Sequence, residues 1–443
     1  MASFDHARST AASSPALPAR TVPLQEALGC VLAEPLRAQL DVPHVATSAM
    51  DGWALAAPLP VPDAEDPCWR ARSQGAEGPS TLLAPLAAGE AVGVVTGSPV
   101  PEGTVSVLRS EHARLDAGRL SLAQQTPDLE PGRNIRPVAA EAAAGDLLLD
   151  SGEELSAAGT AAAAVAGYDA LRVVPRPRVR LILTGSEVIT SGLPGPGQVR
   201  DVFGLALPSM LHEAGAQLES MHRIDDDPAE LRRLLDLEPA AEPAPDLIIT
   251  TGGTAASRAD TLRPVLTELE AEILVSHVDM RPGHPALFAR IPADQRPAEQ
   301  QPAEQRPADQ RHTYVLGLPG NPLAGFAALT VLGLPLIAAL AARSQAEPLW
   351  AQAAAEISGA ARRGRGGVRL VPARLGVGDE EPLVHPLEHA QAHMMRGLAQ
   401  AEVLVVVPAE GLAVGDQVEC LKVPGRSDRS SQPPQGGPPK RRS

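Results

Sequence analysis

Asp246-Leu-Ile-Ile-Thr-Thr-Gly-Gly-Thr254 decides the fold. Its apolar and β-branched run reads as a buried strand, and the run stops at two glycines. Glycines let the backbone approach an anion, and successive N–H groups form a concave nest for it. The helix expected to follow would add a favourable dipole at its N-terminus. The same turn would also serve as a plain strand-to-helix corner.

Two more segments have this character. Residues 179–183 form an apolar run ending in Thr184-Gly185, and residues 314–318 form one ending in Pro319-Gly320-Asn321-Pro322. Two prolines fix φ in that last turn and stiffen it as a wall. Helical stretches such as 229–235 separate the runs. Strands alternating with helices imply a parallel sheet with right-handed crossovers, the turns lying together where the strands end. Open α/β sheets bind ligands there. Met280-Arg-Pro-Gly-His-Pro285 is equally stiff and adds a guanidinium and an imidazole, both partners for phosphate or an oxyanion.

Outward from this module, residues 344–423 look strand-rich, with 403–407 the clearest strand. Residues 44–142 read as short strands joined by Gly- and Pro-rich turns. Ser156 is placed to cap an Ala-rich helix ending at Gly167. Apolar spacing over 21–36 predicts a short helix, and the apolar run 326–342 predicts a buried one. Residues 1–14 are small and polar and are expected to be disordered. So is the Ser/Pro/Gly/Arg tail at 425–443. The repeated Pro-Ala-acid-Gln unit at 292–311 reads as a low-complexity insert between two strands.

At 443 residues the chain is long enough for several domains. Aromatics are only 2%, so Ala, Val and Leu must build the cores. A net charge of −15 with no arginine stripe argues against a nucleic-acid partner. The cluster Arg362, Arg363, Arg365 and Arg369 reads as a solvated loop. Cys30, Cys68 and Cys420 show no metal-ligand or disulfide spacing, which fits a reducing cytoplasm. No membrane span is expected from the apolar run, which Gly333 and Pro335 interrupt. Asp51, Glu187, Asp226 and Asp260 each sit beside glycine or in an expected loop. Hard oxygen ligands of this kind suit Mg2+, though singly each is an ordinary cap or surface charge.

Seven segments together resemble one family. Ser48-Ala-Met-Asp-Gly-Trp-Ala54 is similar to its SAMDGYA signature, and Thr96-Gly-Ser-Pro-Val-Pro-Glu-Gly103 to its TGAPVPEG segment. Asn134-Ile-Arg136, Thr184-Gly185 with Glu187, the Thr-Thr-Gly-Gly turn, Arg-Pro-Gly-His-Pro and Leu-Pro-Gly-Asn-Pro follow in the family's order. The family is that of the molybdopterin molybdenumtransferases, which includes bacterial MoeA and the E domain of gephyrin. The resemblance covers roughly residues 20 to 423.

The resemblance implies an α/β multidomain fold. A doubly wound α/β molybdopterin-binding domain would span 177–343. A small helical part would combine 15–43 with 143–176, a β-rich lobe would span 44–142, and a C-terminal β-barrel domain 344–424. It implies a homodimer whose cleft draws on both subunits. It implies a reaction in which molybdenum from molybdate enters adenylylated molybdopterin with release of AMP, helped by Mg2+. By position, Asp51, Thr96, Glu141, Glu187, Asp226 and Asp260 match the family's cleft residues, with Glu187, Asp226 and Asp260 as its metal ligands. Thr251, Gly252, Gly253, Arg281, His284, Pro319, Gly320, Asn321 and Pro322 match its substrate-binding positions.

The chain also departs from the family pattern. TGDE is Thr184-Gly-Ser-Glu187 here, and Asp-Thr/Ser-Asn is Asp201-Val-Phe203. The polar run after Gly253 is Thr-Ala-Ala-Ser-Arg258. Three basic positions are His277, Arg281 and His284. Gly-Glu before Glu141 is Ala139-Ala140, and a Gly-Ser of the last domain is Gln391-Ala392. These changes leave a second reading open, a non-catalytic paralogue that holds molybdopterin or the cofactor for delivery or regulation.

Overall fold

The structure is a computed structural model that describes residues 2–57, 68–72, 84–236, 244–253, 261–292, 312–359, 367–378 and 381–423. Asp260, Arg362, Arg363 and Arg365 lie outside the described residues. So do positions 293–311 of the expected insert and the tail at 425–443. The chain divides into two compact units.

The larger unit takes in Met1–Arg20, Gly29–Val31 and Val174–Ser443. Its sheet has six strands, in the order Gln217–Ile224, Arg178–Thr184, Leu247–Thr251, Thr313–Leu318, Leu287–Ile291 and Glu272–Val275. The first four run parallel, as the sequence implies. The last two are antiparallel additions. Parallel strands covered on both faces should be apolar throughout, and Leu247–Thr251 is buried at every position. Alternation along the strands feeds two cores. Leu181, Leu183 and Ile249 face the helix Phe203–Glu213 and the long helix from Pro322 to Leu340. Ile182 and Ile248 face the helices Pro228–Leu235 and Leu262–Glu268. Helices on both faces make the module doubly wound.

The long helix satisfies the length and composition of a membrane span, but most of it is buried inside the protein. One turn of it, Leu329–Gly333, is a π-bulge. The N-terminal segment corrects the expectation of disorder. Phe4–Ala12 is a helix with Ser3 as its cap, the Ser3 hydroxyl accepting from the His6 N–H at 3.2 Å. Phe4, Ala7 and Ala11 fall on one face and join the core that holds the long helix. Alanines at this spacing let two helices approach closely, so little apolar bulk is needed to dock the segment.

Residues 349–422 close into a five-stranded barrel. Its order is Val368–Gly376, Leu383–Pro386, Leu349–Ala353, Gln417–Lys422 and Val403–Val407, with Val403–Val407 pairing back to Val368–Gly376. Closure removes free sheet edges. Met280–Arg281 adds a short parallel strand to it beside Val368 and Arg369.

The smaller unit takes in Thr21–Leu28 and Leu32–Val173. Its main sheet also has six strands, ordered Thr104–Arg109, Gly52–Ala56, Glu90–Val94, Cys68–Arg72, Arg119–Leu122 and Ala113–Asp116. The expected helix over 21–36 is absent. The segment holds a single 3-10 turn at Leu24–Glu26 and short extended pieces instead. Pro23 and Pro35 restrict its two ends, and Gly29 adopts φ 75°, which a helix cannot contain. The parts expected to be helical thus carry one α-helix, Ala157–Val165, whose cap is Ser156 as anticipated.

Candidate functional site

Three turns meet where the parallel strands end. Thr184 closes Arg178–Thr184, and its hydroxyl donates to the Thr251 carbonyl at 2.7 Å. Gly252 follows Leu247–Thr251, and its N–H donates to the Leu318 carbonyl at 2.9 Å. Gly320 follows Thr313–Leu318, and a Cβ built there would lie 3.5 Å from Gly252 Cα. Gly252 and Gly253 both adopt left-handed φ, 84° and 63°. A Cβ at Gly252 would come within 2.6 Å of the Thr184 hydroxyl, so no side chain fits at that position. Arg178–Thr184 has the next two strands of this sheet, Gln217–Ile224 and Leu247–Thr251, on either side, which makes this the switch point where open sheets bind ligands.

Asn321 begins the long helix without making a side-chain cap. The Ala324 N–H instead donates to the Ala392 carbonyl at 3.3 Å, so a loop of the barrel domain supplies that partner. Pro319 is buried, while Gly320 and Asn321 are exposed.

Beside the first turn lies a pocket of about 240 Å3, walled by Thr184, Gly185, Ser186, Arg223, Asp225 and Glu230 among others. Arg223 is held by Asp201, a buried carboxylate that also accepts the Gly204 N–H at 2.9 Å. Gly204 leaves the room this needs, because a Cβ there would meet the Arg223 guanidinium at 2.1 Å. Glu187 is exposed with its carboxylate over Gly185, 2.9 Å from a Cβ built there. Asp226 is exposed and outside the wall. Its neighbour Asp225 lines the pocket, and Asp227 caps the next helix by accepting the Ala229 N–H. Among the described residues no three His, Cys, Asp or Glu side chains gather as a metal cage. Mg2+ does not need such a cage, since it commonly takes one or two carboxylates and completes its shell with substrate phosphate and water.

The Arg281–His284 turn carries positive charge of a particular kind. Arg281 is exposed. His284 Nδ1 lies 2.8 Å from the Val278 carbonyl. A carbonyl only accepts, so Nδ1 carries the hydrogen and Nε2 of the neutral ring is an acceptor. The ring stacks on His277 at 5.3 Å, and an Arg263 Nη lies 3.4 Å from His277 Nε2.

In the smaller unit, Asp51 and Thr96 are partners. One Asp51 oxygen accepts the Thr96 N–H at 2.6 Å and its hydroxyl at 2.9 Å. Those two bonds, the backbone one first, hold the carboxyl below the usual carboxylate range. Glu141 is exposed, its N–H donating to the Val42 carbonyl at 2.9 Å.

Sequence reasoning missed three features: the Asp201–Arg223 pair, Asp225, and a buried Asp128 with four donor groups around it. Asp201 stood in a motif already singled out, but its partner is 22 positions away on another strand. Nothing local marks Asp128, which looks like any turn aspartate.

Three family models match in succession. Residues 2–167 match the MoeA N-terminal region (domain I and II). Residues 180–339 match a probable molybdopterin binding domain, and 355–423 the MoeA C-terminal region (domain IV). The molybdopterin molybdenumtransferase of Nostoc sp. (strain PCC 7120) is 32% identical over 308 residues, 68% of this chain and 65% of that protein. Molybdopterin molybdenumtransferase 2 of Mycobacterium tuberculosis (strain H37Rv) is 30% identical over 332 residues, 71% of this chain and 73% of that protein. A crystal structure of the molybdopterin biosynthesis moea protein from Pyrococcus horikosii shares the fold. It superposes with a TM-score of 0.63 at 23% identity, covering 96% of this chain and all of that one.

Proposed function

The chain belongs to the molybdopterin molybdenumtransferase family, and on that premise we propose the step it performs. It acts in molybdenum cofactor biosynthesis as a transferase. Its reaction takes adenylylated molybdopterin and molybdate, moves molybdenum onto the pterin dithiolene and releases AMP. Names of relatives as transferases favour turnover over the non-catalytic paralogue.

One observation carries the substrate reading: the convergence of Thr184-Gly185, Thr251-Gly253 and Leu318-Asn321 on a junction whose centre, Gly252, admits no side chain. Bare backbone at strand ends and at a helix start suits a pterin phosphate. The guanidinium of Arg281 would receive molybdate, with His284 in the same turn. Glu187 and Asp226 would hold Mg2+, with Asp225 beside them and Asp260 as a further candidate ligand. When bound, Mg2+ supplies charge compensation on the adenylate phosphate. In the smaller unit Asp51, its charge fixed by Thr96, would act as a general base, with Glu141 as a further candidate. The cytoplasm is the proposed compartment and a homodimer the proposed assembly, with light scattering at twice the 45.9 kDa chain mass as the check.

The test is calorimetric binding of adenylylated molybdopterin together with molybdate-dependent AMP release. Binding with release supports the reading. Binding without release under any metal would restore the non-catalytic paralogue, and absence of binding would overturn the substrate assignment.

A further inference from the structure

Asp128 lies in the 3-10 turn Pro127–Leu129, and its side chain is 1% exposed. Its carboxylate accepts four donors. They are the Arg109 N–H at 3.1 Å, the Arg109 Nε–H at 3.1 Å, His112 Nδ1 at 2.8 Å and the Asn134 amide at 3.1 Å. Thr126 braces the turn, its hydroxyl accepting the Asp128 N–H at 3.2 Å and meeting His112 Nδ1 at 2.7 Å. Burial pushes the Asp128 carboxyl up. The Arg109 bonds, then those from His112 and Asn134, more than offset this and hold it well below the usual carboxylate range. The group is an anion at neutral pH.

Its neighbours lead to one place. Arg109 ends the strand Thr104–Arg109, where it pairs with Gly52, and the next residue, Ser110, donates its N–H to the Asp51 carbonyl at 3.0 Å. On the other flank, the Asn134 carbonyl accepts the Ala49 N–H at 2.8 Å, and Ile135 pairs with Ser48. Asn134 is itself in the left-handed region at φ 58°, a conformation its amide bonds to Asp128 and to the Val107 carbonyl help to hold. The loop Ser48–Gly52 carries Asp51, and one buried carboxylate grips the chain on both sides of it.

We propose that Asp128 is a positioning residue for Asp51, clamping the two strand ends that aim the Asp51–Thr96 pair. This rests on the catalytic reading of Asp51 given above. A carboxylate is the group required, since four donors converge on it and three of them, the two from Arg109 and the Asn134 amide, cannot accept. An asparagine would turn its NH2 against one of them, and an apolar residue would strand all four.

A double-mutant cycle in the full chain tests it, reading AMP release from adenylylated molybdopterin with molybdate. Asp128→Asn is expected to lower kcat roughly tenfold with KM unchanged. Asp51→Asn is expected to lower kcat further. The double variant is expected to match Asp51→Asn alone, because a residue that acts only through Asp51 has nothing left to position. Losses that multiply in the double variant, or an unaffected Asp128→Asn, overturn the positioning role while leaving Asp51 as assigned. A silent Asp51→Asn overturns the reading of Asp51 and the positioning role with it. If Asp128→Asn fails to fold, His112→Phe decides. It removes one donor and keeps the anion, and it should give a smaller kcat loss that again vanishes in the Asp51→Asn background.

Discussion

Thr96 donates its backbone N–H and its hydroxyl to the same oxygen of Asp51, at 2.6 and 2.9 Å, across 45 residues of sequence. The two segments that looked like separate signatures are therefore one device. Thr96→Val keeps the backbone bond and removes the second, so Asp51 should regain part of its ordinary proton affinity. The expected outcome is a severalfold loss of kcat, against a loss of about tenfold or more for Asp51→Asn. Circular dichroism should show both variants folded, and equal activity of wild type and Asp51→Asn would reduce the pair to a loop fastener.

Gly252 and Gly320 should respond differently to alanine. Gly252→Ala meets both a left-handed φ of 84° and a Cβ contact of 2.6 Å with Thr184. It should cost about 1–2 kcal/mol of stability from the backbone alone, with substrate affinity lost as well. At Gly320 the nearest atom to a Cβ is 3.5 Å away, an ordinary contact, so Gly320→Ala should melt like wild type. The added methyl group would still stand at the junction, and calorimetry should find weaker binding of adenylylated molybdopterin. A Gly320→Ala protein that binds normally would move the ligand away from this junction.

His284 can be tested by substitution. Its Nδ1–H is committed to the Val278 carbonyl, which fixes the ring in the turn that carries Arg281. His284→Ala should raise severalfold the molybdate concentration needed for half-maximal AMP release and leave binding of adenylylated molybdopterin unchanged. An unchanged molybdate dependence would remove His284 from the molybdate site.

Asp128 should govern acid stability in the smaller unit. A carboxyl held below its unfolded value contributes stability that is present above about pH 4 and is lost as pH falls toward its folded value. Asp128→Asn should therefore cost about 2–3 kcal/mol at neutral pH. Thermal melts should show the gap to wild type narrowing below about pH 4. A gap that stays constant with pH would mean that shape, not charge, matters there.

The parallel strands and their turns were legible because apolar runs ending in Gly or Pro have few other uses. The apolar spacing over 21–36 misled because Leu24, Ala27, Leu28 and Val31 mimic one helical face, while Gly29 at φ 75° breaks the continuous backbone between them. The N-terminal helix was hidden for the opposite reason, since alanines at 7 and 11 carry almost no apolar signal yet are fully buried. Pairings such as Asp201 with Arg223 depend on strand order, which no local pattern encodes. Ala139 is instructive as well. It stands where the family pattern has glycine, and it adopts φ 58°, so the family's preference is a backbone requirement that this chain meets with some strain.

The short strand Met280–Arg281 is bonded into the barrel beside Val368 and Arg369, while the Ala2 N–H donates to the His277 carbonyl and the Asp279 N–H donates back to Ala2. The stretch that presents Arg281 is thus stitched to two elements at once. Amide protons around residues 278–281 can exchange with solvent only when the barrel edge or the N-terminal strap opens too, so they should be protected like a core strand. An exposed turn ordinarily trades rigidity for access. This one is fixed before any ligand arrives, and the entropy of ordering it has already been spent in folding.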